Sequence, residues 1–300
     1  MKLARFLKAN STYVLWFLYN HILMSIILRG GRRSFIAAFF LLAISLAISL
    51  SSFGEVALRA MQGAKELQAH HGQASILSLY DAVITGAIGT EKGGRRIPKL
   101  YIIDSGRLNS LAVGKETIIL TRGIVDNYDA DEIQGIIAHE LGHLQYAHSR
   151  ALLVAMSGNL LFSLIIFMAR VVLAFVDGVA EAAEGSKTAG ELSKAVSLAC
   201  RLAFELAVFL FVNVGETILA VDSKDSELVA DLFAHEIGFG RGLAKSLYRL
   251  SKIDAATKKG FGEMFKIPQA HILSRIANLE RLEAAEKAKM EEAEVEVEVI

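Results

Sequence analysis

The chain has 300 residues, 53% of them hydrophobic, and its 32 basic residues balance 32 acidic ones. A formal charge of zero gives no electrostatic footprint for nucleic acid. The lone cysteine, Cys200, excludes an intramolecular disulfide and any cysteine-built zinc site. Only two prolines occur, which suits a mostly helical chain with ample core.

The start is basic (Lys2, Arg5, Lys8) and leads into the apolar run Tyr13–Leu28, broken by Asn20 and His21. This run is short for a hydrocarbon core of about 30 Å, so it spans with local thinning or lies at the interface. A cleaved leader is disfavoured, because Arg29-Gly-Gly-Arg32-Arg33 is a poor cleavage region and a second apolar segment follows at once. That segment, Phe35–Phe53, carries no formal charge and reads as a transmembrane helix. Residues 1–54 are therefore expected to form a membrane anchor. Glu55–Gly89 has an amphipathic helical pattern interrupted by Arg59, Lys65 and Glu66. His70 and His71 are adjacent, point to different sides of such a helix, and read as surface residues. After the turn-rich Glu91–Arg96, Leu100–Asp104 and Thr117–Thr121 read as short strands, with Leu111–Gly114 a third between them. The expected class is α+β, mostly helical with a small sheet.

Asp129 or Asp131 is placed to cap the next helix, and Ile133, Ile136, Ile137 and Leu141 supply its buried stripe. Within it stands His139-Glu140-Leu141-Gly142-His143. Histidines four apart share one helical face and can present imidazole nitrogens to a single metal ion, with Glu140 beside them to handle the proton of an activated water. Two apolar segments follow, Ala151–Val176 with only Arg170 charged, and Ala195–Val221 with Arg201, Glu205 and Glu216. Arg201 and Glu205, four apart, are spaced to pair. Joined by the polar Asp177–Lys194, the two segments read as an inserted membrane hairpin over 151–221, which splits a second domain into 55–150 and 222–280. Asp222–Gly238 and Leu243–Ile253 return to amphipathic helix, and beyond Leu279 the chain reads as a solvated helix fraying into an acidic charged tail over 281–300.

A catalytic zinc commonly has three protein ligands and an open position. The acids after the hairpin are Glu216, Asp222, Asp225, Glu227 and Asp231, and Glu227-Leu-Val-Ala-Asp231 sets two of them on one helical face. Glu227 is then the candidate third ligand, with Asp231 accepting the N–H of His139 and fixing its tautomer. For His139, His143 and Glu227 to meet, the intervening chain must cross any membrane an even number of times, and two apolar segments satisfy that. His235-Glu236 lacks a second histidine and reads as a surface pair. His148 carries little weight as a ligand.

These residues resemble the membrane-anchored zinc metalloproteases of the HtpX and CAAX prenyl protease type. The resemblance covers roughly residues 100–279. It is carried by Asn109-Ser-Leu-Ala112-Val-Gly114, by Ile118–Gly123, by His139–His143 with His148 five residues on, and by Glu227–Asp231. It implies a zincin-like zinc endopeptidase with one Zn2+ per chain, mostly helical with a small sheet. It also implies that the strand matching Asn109–Gly114 borders the active-site groove, making Asn109, Ala112 and Gly114 substrate-binding residues. An edge strand beside a metal lets an extended peptide add as a further strand. One departure stands out. Family members usually carry a His-Pro pair six residues before an Arg; here Arg275 holds the Arg position, Gln269 replaces the His, and His271 lies at another offset. Arg275 is a candidate for transition-state contact or for ordering the site.

The expected function is hydrolysis of membrane or misfolded proteins by a metal-activated water, a quality-control role, with Glu140 as general base. The partners are then protein or peptide substrates and the lipid bilayer. A CAAX-type prenyl-protein protease is the first alternative, but it needs more membrane helices than the three or four apolar segments present. A non-catalytic zinc-binding scaffold or chaperone-like protein is the second, disfavoured because a structural site needs no Glu140. If Tyr13–Leu28 spans, basic residues gather on the protease side; if it lies flat, the sign reverses. The resemblance favours a bacterial inner-membrane protein with the protease domain in the cytoplasm.

Overall fold

The computed structural model describes residues 11–28, 30–68, 74–88, 97–146, 149, 223–256 and 269–298, with isolated positions between 153 and 208. The chain divides into two compact units, Met1–Gly54 with Ala151–Ser223, and Glu55–Arg150 with Lys224–Ile300.

In the first unit, helices α1 (Ser11–Ile27) and α2 (Arg32–Ser49) pack as a hairpin. The reversal uses Gly30 and Gly31 at φ 66° and 93°, a left-handed region that costs glycine nothing. Met24 and Ala38 pack at its centre, and His21 sits edge-on to Phe35 with ring centroids 4.2 Å apart. Among the described residues, α2 is the one helix long and apolar enough to cross a membrane by length and composition, while Val14–Ile26 is a shorter apolar helix. The run expected to continue to Phe53 stops at Ser49. Ser51 accounts for this: its hydroxyl donates to the Ile48 carbonyl (2.5 Å) and accepts the Phe53 N–H (3.2 Å), capping a new helix, α3 (Ser52–Met61). Most of the expected 151–221 hairpin lies outside the described residues. Within it, Arg170 donates to the Glu205 carboxylate at 3.1 Å.

The second unit holds the sheet. The helix expected through Glu55–Gly89 is broken: α3 ends at Met61, Gly63 turns with φ 65°, and Lys65–Glu66 form strand β1 before α4 (Ala74–Ile88) begins. Strands β2 (Lys99–Ile103), β3 (Ser110–Val113) and β4 (Thr117–Thr121) complete a sheet of order β1-β2-β4-β3. The β2–β4 pair is parallel and the two outer pairs are antiparallel. Every residue of β4 (Thr-Ile-Ile-Leu-Thr) is buried, as β-branched residues on a covered interior strand should be. β3 is left at the end of the sheet.

A short helix α5 (Arg122–Asn127) leads into α6 (Ala130–Gln145), which carries the two histidines and is buried along much of its length. Asp129 caps it in a capping box with Glu132, whose carboxylate accepts the Asp129 N–H at 2.8 Å. The remaining helices are α7 (Ser223–Glu236), α8 (Gly240–Ala256) and α9 (Gln269–Glu298). α8 grips the N-terminus of α6. Arg249 reaches Asp129 (2.9 Å) and Glu132 (3.0 Å), Lys245 pairs with Asp131, and Arg249 covers the Tyr128 ring at 5.4 Å. The two helices touch backbone to backbone. A Cβ on Gly135 would overlap the Leu243 nitrogen, and one on Gly242 would overlap the Asp131 carbonyl. α9 continues as a helix as far as Glu298, because Glu283-Ala-Ala-Glu-Lys-Ala-Lys289 is built of strong helix formers. His235, expected at the surface, is mostly covered and lies 3.5 Å from Glu286 of α9.

Gly135→Ala tests the α6–α8 contact. Alanine gains up to about 1 kcal/mol of helix propensity, but overpacking against backbone costs about 1–3 kcal/mol. The variant should therefore melt at a lower temperature than wild type, read by thermal denaturation in detergent.

Candidate metal centre

Helical period brings His139 and His143 to one face of α6, with their Nε2 atoms 3.1 Å apart and their rings nearly perpendicular. Across from them Glu227 of α7 presents one carboxylate oxygen to each, Oε2 at 3.4 Å from His139 Nε2 and Oε1 at 3.4 Å from His143 Nε2. Small residues permit this approach. A Cβ on Gly142 would lie 2.9 Å from the Ala230 Cα, so α6 and α7 pass at nearly backbone contact. The second x of H-E-x-x-H and the fourth residue of Glu-Leu-Val-Ala-Asp are small for one shared reason.

These three residues form a group whose ligand atoms all lie within 4.8 Å of one another and could hold a metal ion. A tetrahedral ion about 2.0–2.1 Å from each donor would separate neighbouring donors by roughly 3.3 Å. The nitrogens, 3.1 Å apart, come close to that spacing, and each has a Glu227 oxygen, a different one, at 3.4 Å, so the residues fit a metal ion.

Behind them lies a buried ionic layer. His139 Nδ1 donates to Asp231 Oδ1 at 2.9 Å, which leaves Nε2 as the donor facing the site. Arg275 of α9 closes on both acids. Its Nε and Nη2 donate to the two Asp231 oxygens at 2.8 and 2.7 Å, and its Nη1 donates to Glu227 Oε2 at 2.7 Å. Asp231 is fully buried and Arg275 is 5% exposed. Burial pushes the His139 imidazole down, but its bonds to Asp231 and Glu227 outweigh that and hold it up at about 9. Burial likewise pushes Glu227 up, yet His139, His143 and Arg275 hold it far below the usual carboxylate range. Asp231 is lowered against its own burial by His139 and Arg275. The Asp231 carboxylate, bonded to Nδ1 behind the site, makes the His139 imidazole a stronger metal donor through Nε2.

Glu140 is buried on the same helix, and the Ser110 hydroxyl of β3 donates to its Oε1 at 2.5 Å. Ser110 was invisible to motif reading, since only the packing of β3 against α6 reveals it. Thr121 N–H bonds to the Asn109 carbonyl at 3.0 Å, so 109, 111 and 113 take the hydrogen-bonded positions opposite β4. The N–H and C=O groups of Ser110 and Ala112 then point outward from the sheet edge. Ala112, two residues on, shares the face of Ser110 and is buried. The Asn109 side chain is exposed at the start of the strand. Gly114 is engaged differently from the other two: its N–H reaches the Ser149 carbonyl (3.3 Å), its carbonyl accepts the Ser149 hydroxyl (2.6 Å), and φ is 63°. Ser149 also donates its N–H to the His143 carbonyl (3.3 Å), tying the strand to the end of the metal helix. His148, Glu216 and Asp222 lie outside the described residues, and so does any account of them. Asp225 is exposed, on the first turn of α7.

Residues 73–286, well over half of the chain, match the model of peptidase family M48, and the chain belongs to that family. It is 36% identical over 76 residues to a protease HtpX homolog of Bacteroides fragilis, covering 24% of each chain. Over 123 residues it is 32% identical to one of Thermodesulfovibrio yellowstonii, covering 39% of this chain and 40% of the relative. A third, from Halobacterium salinarum, is 26% identical over 163 residues, covering 53% and 50%. The matched stretches thus span half or less of these relatives' lengths. A crystal structure of S. mikatae Ste24p is similar with a TM-score of 0.43 at 17% identity, covering 92% of this chain and 66% of that one.

Asp231→Asn should weaken binding of a divalent metal by about 10–100-fold, the usual cost of losing a carboxylate behind a histidine ligand; competition with a chromogenic chelator measures it. Asp231→Ala should also cost about 3 kcal/mol of stability, the low end for a broken buried pair because Glu227 still faces Arg275. A thermal melt checks that.

Proposed function

We propose that this chain is a membrane-anchored, zinc-dependent endopeptidase. The observation that carries the reading is a three-donor group, His139, His143 and Glu227, beside a buried carboxylate, Glu140, that hydrogen-bonds to the free edge strand. Zinc held by that group would supply Lewis-acid polarisation of water and of the scissile carbonyl.

The protein's own residues do the rest. An extended peptide adds to the sheet beside β3, bonding to the outward main-chain groups of Ser110 and Ala112, so recognition tolerates many sequences. Asn109 flanks that edge, and Gly114 with Ser149 sets its far end. Glu140 takes a proton from the attacking water and later delivers it to the leaving amine. The Ser110 hydroxyl holds Glu140 in the rotamer that serves both transfers, and the strand that binds substrate thereby also aims the base. Arg275 orders the site: Nε, Nη1 and Nη2 are all engaged by Glu227 and Asp231, which leaves no free fork for a transition state.

We assign 1–54 as the anchor, 151–221 as an inserted membrane hairpin, and 55–150 with 222–280 as the protease domain. The apolar α2 supports the first assignment, and the compaction of Glu55–Arg150 with Lys224–Ile300 supports the last. Substrates are membrane or misfolded proteins, and the protease domain faces the cytoplasm of a bacterial inner membrane.

Glu140→Gln should reduce cleavage of casein by about 10²–10⁴-fold while zinc content, measured by atomic absorption, stays at one per chain. Full activity in that variant would sink the mechanism. Ser110→Ala should lower kcat by about tenfold or more, since a hydrogen bond to a charged group contributes about 1.5–3 kcal/mol. Ser110→Thr, which keeps the hydroxyl, should retain most of it.

A further inference from the structure

Helix α3 has two unlike faces. On one, Gly54, Glu55 and Leu58 are buried and Arg59 is half-buried. Glu55 accepts the Lys115 N–H (2.8 Å) and the Thr117 hydroxyl (3.1 Å), and its carboxylate fills the space where Gly114 has no side chain. Arg59 donates to the Thr117 oxygen (2.8 Å) and lies 4.6 Å over the Tyr101 ring. This face therefore grips the turn from β3 to β4, the hairpin that carries the free edge.

The other face is apolar and open. Phe53 is 67% exposed, Val56 50% and Met61 72%, and Ala60 is exposed between them. Residues 53, 56 and 60 follow the three-and-four spacing of a single helical stripe, with Met61 at its margin, and none is charged. Chain length says what meets that stripe. Only Leu50 and Ser51 separate the end of α2 from the start of α3. Three peptide steps span at most about 11 Å, and the headgroup layer flanking the hydrocarbon core is itself about 5–7 Å thick. If α2 crosses the bilayer, α3 begins within about 11 Å of the hydrocarbon core, in the headgroup layer or at its outer edge.

We propose that α3 is an interfacial helix: its Phe53–Val56–Ala60–Met61 stripe lies among phospholipid acyl chains while Glu55 and Arg59 hold the β3–β4 turn, so that the membrane surface positions the substrate-binding edge. An amphipathic helix in this setting buries its apolar face about 5–10 Å into the boundary. The proposal rests on α2 as a membrane anchor, and the anchor can be tested in the same experiment.

The full-length protein, with Cys200→Ser and single cysteines placed in turn at Val56, Met61, Ile44 of α2 and Met290 of α9, is labelled with bimane. It is reconstituted into phosphatidylcholine–phosphatidylglycerol vesicles. Quenching is compared between lipids brominated near the headgroup end of the chains and aqueous iodide. Labels at 56 and 61 should be quenched by the brominated lipid at least about twofold more than by iodide, as expected for burial at the boundary, with Met290 showing the reverse. Iodide quenching at 56 and 61 together with lipid quenching at Ile44 would overturn the interfacial helix and leave the anchor standing. Iodide quenching at Ile44 would overturn both. The double variant Val56→Ser, Met61→Ser reads the coupling: in vesicles its KM for a peptide substrate should rise several-fold while kcat holds, and in detergent it should match wild type. An unchanged KM in vesicles would refute positioning of the edge by the membrane.

Discussion

The second unit is organised around one buried cation. Arg275 stands between Asp231 and Glu227, and without it two carboxylates would face each other inside the protein behind two imidazoles. Uncompensated buried charge is expensive, and only short, well-aimed bonds recover the cost. That requirement ties α9 to α7, and α7 to α6. The donor group in front inherits its geometry from the ionic layer behind.

Close packing supplies the second constraint. Gly135 against α8 and Gly142 against Ala230 let the metal helix be approached on two sides at backbone distance. A larger residue at 142 would push α7 outward and carry Glu227 away from the histidines. The apolar stripe of Ile133, Ile136 and Ile137 packs into the core.

How much of this was legible in sequence follows the reach of each interaction. His139, Glu140 and His143, and separately Glu227 and Asp231, are related within one helical turn, so spacing alone places each set on one face. Joining the two sets rested on choosing, among the acids after the second apolar segment, the pair spaced four apart; two apolar segments between them are consistent with that choice. Arg275 was reachable through family resemblance, because no local pattern links residue 275 to residue 231. Ser110, Ser149 and Glu55 were out of reach: each acts across elements whose register only the folded chain defines. The break at Gly63 was missed because apolar spacing continues past it, while a left-handed φ ends the helix regardless of pattern.

The order of these pieces along the chain has a consequence for biosynthesis. Asn109 to Glu140 emerge first from a ribosome, Glu227 and Asp231 much later, and Arg275 last of all. Until α9 is made, the two acids have only the imidazoles of α6 as partners and lack the guanidinium that bridges them. The buried layer behind the donor group is therefore complete only once the last helix has been made.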